Sequence, residues 1–296
     1  MGSATPPSRC LGELTFPDVR ARLRETSILC LPMGAMEQHG RHLPLNTDAV
    51  IAEELARRII ARWGDEFDLW LLPTVFIGLS PEHDWAPGTL SLSMQNFVAL
   101  LKELAREIAR SLPARNVLVV NGHGGNRGAL ENLMHELYSE LRLNTCVIHP
   151  FDLAQAAPSS SGTDVHAGKD ETSVMLAIAP HLVRRQLIAS AGKATEPAHL
   201  ASMIFDRGVS FPWRTDDDRL AKRGVIGDPK GASAELGHAI IESVIARTRA
   251  VLAQLLENQR GARSAQEQRR ARRRGSPART SRRTGSRRQR RPRKSS

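Results

Sequence analysis

Short apolar runs of strand length alternate along this chain with longer stretches of helical period. Residues 27–33 (SILCLPM) form a continuous apolar run closed by Gly34, the pattern of a strand buried on both faces. Ala49 to Trp63 follows, with Val50, Ile51, Leu55, Ile59 and Ile60 at helical spacing. Asp68 to Phe76 reads as a second strand interrupted by Pro73, and Gln95 to Leu112 as a helix with Ser93 as its N-cap. Asn116 to Val120 and Thr145 to Ile148 read as two further strands. Between them, Leu130, Leu133, Met134 and Leu137 stripe a helix over Arg127 to Leu141. Helices are also predicted within Phe16 to Thr26, over Asp170 to Ile178, and over Ala232 to Leu256, while residues 181–231 read as irregular cover. This alternation predicts βαβ units and an α/β fold with a mainly parallel sheet.

Charge divides the chain unevenly. The net charge is +11, yet residues 260–296 hold fifteen arginines and one lysine against one glutamate. The other 259 residues carry 26 basic and 30 acidic side chains, a net −4. The expected organisation is therefore a loose arm over residues 1–10, one domain over 11–258, and a disordered Arg-rich tail over 259–296. The tail has too few apolar side chains to offset its ordering entropy. Its charge allows non-specific, salt-dependent attraction to nucleic acid, with no aromatic stacking platform to add specificity. No run of 18 apolar residues suggests a membrane span. The opening MGSATPPSRC lacks the pattern of a secretory signal, and three scattered cysteines suit a reducing compartment, so a cytoplasmic protein is expected.

Three polar clusters each follow a strand-like run: EQHGRHLPLNTD over 37–48, NGHGGN over 121–126, and DVHAGKDET over 164–172. In parallel α/β sheets, ligands gather beyond the carboxyl ends of the strands. Carboxylate and imidazole donors there suit a divalent cation. Glu37 and His39 are two residues apart, so in an extended segment they face the same way. Asp48 sits at a helix start where it can bridge two ions, His123 lies among glycines that admit close approach, and Glu171 opens another helix. Plainer readings stand beside these. Asp48 also suits a helix N-terminus through the helix dipole, Asn121-Gly122 a turn, and His166 an ordinary loop.

Together, in this order, EQHGRHLPLNTD, NGHGGN and HAGKDETS resemble the signature of the creatininase (creatinine amidohydrolase) family. Pro81-Glu82-His83, Pro87-Gly88-Thr89 and the segment from Gly224 to Glu235 fit it too, so the resemblance covers roughly residues 10–257. It implies a three-layer α/β sandwich, homo-oligomers, and hydrolysis of carbon–nitrogen amide bonds. It also implies a centre of two divalent ions, zinc with zinc, manganese or iron. By the same resemblance Glu37 and His123 match ligands of one metal, His39 a ligand of the other, and Asp48 the bridging carboxylate. His166 matches the catalytic histidine. Creatininase carries a further glutamate two positions past the NGH histidine, where Gly125 stands here, and Glu171 is the natural replacement. The glutamate beside the catalytic histidine is Val165, and the tryptophans around creatinine correspond to Phe151 and Gly162. These departures argue for a substrate other than creatinine, a small-molecule amide or a short peptide.

The expected mechanism is attack on the carbonyl by metal-activated water, with His166 passing a proton to the leaving nitrogen. Glu82, His83 and Trp85 are candidates to line the substrate pocket. Two other activities of the family fit the same centre: a peptidase of mycofactocin maturation, whose members share NGHGGN, and a formamidopyrimidine nucleotide deformylase. No phosphate-binding glycine loop supports the second. From another class, the basic tail suggests a polyanion-binding protein.

Overall fold

A computed structural model describes residues 8–154, 164–191, 204 and 209–275. Residues 1–7 of the expected arm, Gly162 and residues 276–296 of the tail lie outside them. In chain order the helices and strands are α1 (Phe16–Arg22), β1 (Ile28–Met33), α2 (Thr47–Phe67), β2 (Leu69–Leu71), α3 (Met94–Ser111), β3 (Asn116–Asn121), α4 (Arg127–Leu141), β4 (Asn144–Ile148), α5 (Pro150–Leu153), α6 (Lys169–Ile178) and α7 (Ala234–Gly275).

The strands form one sheet in the order β2-β1-β3-β4, every neighbouring pair parallel. β1 lies between β2 and β3, with Ile28 opposite both Leu69 and Asn116, and all six of its residues are buried. A strand covered on both faces has no polar side to show, which is why its sequence is an unbroken apolar run. Alternate residues serve opposite layers. Ile28, Cys30, Leu69, Leu118, Val120 and Ile148 pack against α2, α6 and α7 through side chains such as Ile51, Leu55, Met175 and Ile241. Leu29, Leu31, Met33, Trp70, Val117 and Val119 pack with Leu23, Phe97 and Leu101 near α1 and α3, and with Leu130 and Leu133 of α4. The result is the three-layer α/β arrangement expected.

Two elements differ from their sequence reading. The second strand is three residues long and does not extend to Phe76. The Cys30 and Pro32 carbonyls accept from Leu72 and Val75, so the N–H that Pro32 lacks would have faced the same side. Pro32 and Pro73 thus both fall where pairing between β1 and β2 gives out. At the C-terminus the chain divides into two units, Met1–Gln259 and Arg260–Ser296, and α7 is helical through Gly275. The tail expected to begin at 259 thus starts within the described helix, and its residues 276–296 lie outside the described residues. Alanine, arginine, glutamine and glutamate are all good helix formers, so loss of the apolar stripe removes a packing face without removing helix propensity.

The first turn of α2 is pressed against the carboxyl ends of β1 and β3. A Cβ on Gly34 would lie 2.4 Å from the Ala49 nitrogen, and one on Gly122 would lie 2.4 Å from the Asp48 carbonyl oxygen. Only glycine permits this approach, and it sets Asp48 directly beyond the strand ends. Gly122→Ala is expected to destabilise the fold by about 1–3 kcal/mol through overpacking and to lower bound metal. Gly128 in α4 has nothing within 4 Å of its Cβ position, so Gly128→Ala should leave metal content intact and stabilise slightly. Denaturant unfolding with metal analysis of both variants checks this.

Candidate metal centre

The five expected ligands arrive from four places, two strand ends and two helix starts. The loop after β1 carries Glu37 and His39, the first turn of α2 carries Asp48, the residue pair after β3 leads to His123, and the first turn of α6 carries Glu171. Glu37, His39, Asp48, His123 and His166 are all buried. Donor atoms of Glu37, Asp48 and His123 lie within 4.8 Å of one another, as do those of His39, Asp48 and Glu171. Asp48 belongs to both groups. Its Oδ1 is 2.9 Å from His39 Nε2 and its Oδ2 is 3.0 Å from His123 Nδ1, so the two carboxylate oxygens face the two sides.

Backbone carbonyls decide which imidazole nitrogens are available. His39 Nδ1 donates to the Glu37 carbonyl at 3.1 Å, leaving Nε2 toward Asp48. His123 Nε2 donates to the Leu79 carbonyl at 2.6 Å, leaving Nδ1 toward Asp48 and Glu37. His166 Nε2 donates to the Gln38 carbonyl at 2.7 Å, leaving Nδ1 at 3.5 Å from Glu37 Oε1. Three lone pairs therefore converge on two carboxylates, acceptor against acceptor. Glu37 Oε1 and Oε2 and Asp48 Oδ2 are buried and meet no hydrogen-bond donor. Such an arrangement is costly without a cation among the groups. The spacings of 2.9–3.3 Å among Glu37, His39, Asp48 and His123 agree with ligands about 2.0–2.1 Å from a shared tetrahedral ion, which stand roughly 3.3 Å apart. The donor set fits a divalent metal.

Without metal, protons must take that place. Burial alone would lower His39, but Asp48 beside it pushes its pKa up to about 10. His123 is likewise raised by Glu37 and Asp48 against the effect of burial, and these imidazoles hold Asp48 low although burial opposes it. Burial lifts Glu171 to about 8 and keeps His166 well below the ordinary histidine value.

A model of the family described as creatinine amidohydrolase matches residues 12–252. The chain belongs to the creatininase family. It is 36% identical over 224 residues to the mycofactocin precursor peptide peptidase of Mycobacterium tuberculosis, covering 73% of this chain and 81% of that protein. With the creatinine amidohydrolase of Pseudomonas putida it shares 29% identity over 253 residues, covering 78% and 91%. A solved mutant creatininase of Zn–Zn type superposes with a TM-score of 0.69 at 26% identity, over 84% of this chain and 98% of that one. This creatininase-family chain is an amidohydrolase, a hydrolase of carbon–nitrogen bonds.

The family's departure at Gly125 has a local cause here. A Cβ at that position would fall 2.4 Å from the Leu79 carbonyl, 2.5 Å from His123 Nε2 and 3.0 Å from Glu82 Oε1. The hydrogen bond that orients His123, with the Glu82 carboxylate beside it, fills the space a side chain would need. Glu171 stands instead with His39 and Asp48, its Oε2 accepting from Ala167 N at 2.5 Å. Of the expected pocket residues, Glu82 and His83 line a cavity of about 570 Å³ with Glu37, His166 and Arg214. Trp85 does not line it; its Nε1 donates to Thr215 Oγ1 at 2.9 Å. His42 is buried behind the centre against Thr172 Oγ1.

Three residues were not singled out from sequence. Gln38, between two candidate ligands, faces the other side of the segment. There its Nε2 donates to the Gly224 carbonyl (2.9 Å) and its Oε1 accepts from Gly40 N (2.9 Å). Alternation gives that direction, but not that the other side is buried too. Trp213 borders the centre from a stretch with no periodicity to flag it. Asp164 is a half-hidden anchor of the α6 start, accepting from Asp170 N at 2.9 Å, with burial lifting its pKa to about 6.

Chelation should leave a pH signature. His39 at about 10 against an ordinary 6.5 contributes stability that is full below pH 6.5 and lost as pH rises through about 10. Calorimetry of metal-stripped protein should show the melting temperature falling across that window. Added Zn²⁺ should raise it most at the alkaline end, where no proton must be displaced.

Proposed function

We propose that this chain hydrolyses an amide bond within a short peptide rather than in creatinine, at a centre of two divalent ions. Glu37, Asp48 and His123 would hold one ion and His39, Asp48 and Glu171 the other, with zinc in one site and zinc, manganese or iron in the second. Such ions, when bound, make a water more acidic and a carbonyl more electrophilic.

The observation that carries the choice of substrate is the shape around the centre. Two cavities meet there, sharing His123, His166, Glu171 and Trp213. The first, of about 570 Å³, continues past Pro81, Glu82 and His83 to Phe211 and Arg214. The second, of about 500 Å³, continues past Arg127, His149, Phe151 and Asp170. A substrate with groups on both sides of its scissile bond uses both, whereas a single small ring uses one. The identity of 36% to a precursor peptide peptidase, against 29% to a creatinine amidohydrolase, supports the same reading.

His166 is suited to move the proton. Its Nε2–H is held by the Gln38 carbonyl, so only Nδ1 can accept, and burial keeps it neutral and ready to do so. It would take a proton from the attacking water as the carbon–oxygen bond forms. The same proton would pass to the leaving nitrogen as the carbon–nitrogen bond breaks, giving a carboxylic acid and an amine.

Protein reconstituted with Zn²⁺ or Mn²⁺ should hydrolyse short unblocked peptides with kcat/KM at least about tenfold above creatinine or N-formylglycine. Preference for creatinine would overturn the choice of substrate. Glu171→Gln should halve the bound metal and lower kcat by more than the roughly 10- to 100-fold typical of an outer partner. Elemental analysis beside steady-state kinetics reads both.

A further inference from the structure

His83 sits within reach of the centre, its Nε2 3.4 Å from Glu37 Oε1 and 4.0 Å from Glu82 Oε1, and by distance alone it groups with them as a metal ligand. Its hydrogen bonds say otherwise. The Gln38 side-chain amide cannot be turned round, because its oxygen accepts from Gly40 N and its nitrogen donates to the Gly224 carbonyl. The second hydrogen of that nitrogen meets His83 Nδ1 at 2.8 Å and His166 Nε2 at 3.1 Å. His166 Nε2 already carries the hydrogen it gives to the Gln38 carbonyl, so it cannot accept another. Thr215 Oγ1 also lies 2.8 Å from His83 Nδ1, but a hydroxyl can donate or accept and fits either tautomer. The amide nitrogen can only donate, which makes His83 Nδ1 the acceptor and places the proton of neutral His83 on Nε2. That places an N–H, with no lone pair for a metal, at the wall of the cavity.

Gln38 thus sets two stacked imidazoles, 4.1 Å between ring centroids, in opposite senses: His166 offers a lone pair and His83 an N–H. Glu37 does not take up that N–H, since neither of its oxygens has a hydrogen-bond donor. We propose that His83 is a second catalytic histidine, whose Nε2–H donates to the substrate carbonyl oxygen as charge develops there, and that Gln38 is the positioning residue that fixes its tautomer. No proton leaves His83 in this step. The hydrogen bond shortens as the carbonyl oxygen becomes an oxyanion and relaxes when the carbon–nitrogen bond breaks. This rests on the hydrolytic reading of the centre given above.

The test uses Zn-loaded protein and the best peptide found for the wild type. His83→Phe keeps a planar ring without the N–H and should lower kcat by about 10²- to 10³-fold, with KM changed little and two metals still bound. His83→Gln, whose amide nitrogen reaches toward the Nε2 position, should recover part of that loss. Nitrogen NMR of ¹⁵N-histidine-labelled wild type should show His83 protonated at Nε2, and Gln38→Leu should shift that balance toward Nδ1. An unchanged kcat in His83→Phe, a loss that follows loss of metal, or a wild-type His83 protonated at Nδ1 would each overturn the proposal. A wild type that turns over no amide would overturn the functional reading and the proposal with it, whereas the three outcomes above overturn the proposal alone.

Discussion

The structure turns on one buried carboxylate. Asp48 stands between two imidazoles, one against each of its oxygens, at the head of a helix that the sheet holds in place through backbone contact. Removing an ionised carboxylate from water is expensive, and the surrounding groups bring lone pairs rather than donors. The fold therefore stabilises Asp48 only together with positive charge, from a cation or from protons taken up by His39 and His123. It creates a demand for positive charge at a fixed point, and the positions of Glu37, Glu171, His39 and His123 all answer to that point.

Precision at such a site comes from elements with little freedom to shift. The parallel sheet delivers Glu37 and His123 from neighbouring strands whose register is continuous over six residue pairs. α2 and α6 lie against one face of that sheet and share its core, so Asp48 and Glu171 move with it. Close packing resists small displacements, so the spacing among these side chains is held fixed.

Much of this was legible in the sequence, for physical reasons that can be located. The apolar run before Gly34 and the stripe over Arg127 to Leu141 carry the period of their elements, and clusters at strand ends follow from how parallel sheets bind ligands. The resemblance then supplied Glu171 as the answer to Gly125. The tautomers were illegible, because they depend on the carbonyls of Glu37, Gln38 and Leu79, which have no letter of their own. Trp213 was illegible because nothing local distinguishes a residue that borders a cavity from one in a turn. The extent of α7 was misread because lack of apolar residues was taken as lack of helix, although propensity and packing are separate quantities.

The division of labour between main chain and side chain at the centre has an evolutionary consequence. Three of the four imidazoles receive their orientation from peptide carbonyls, and no codon change at Glu37, Gln38 or Leu79 can delete those groups. The fourth, His83, is held by the side chains of Gln38 and Thr215, either of which one nucleotide substitution can replace. Substitution at Gln38 can therefore turn His83 while His39, His123 and His166 keep the proton pattern that the carbonyls set. The orientation of one imidazole is thus open to a single mutation elsewhere in the chain, and that of the other three is not.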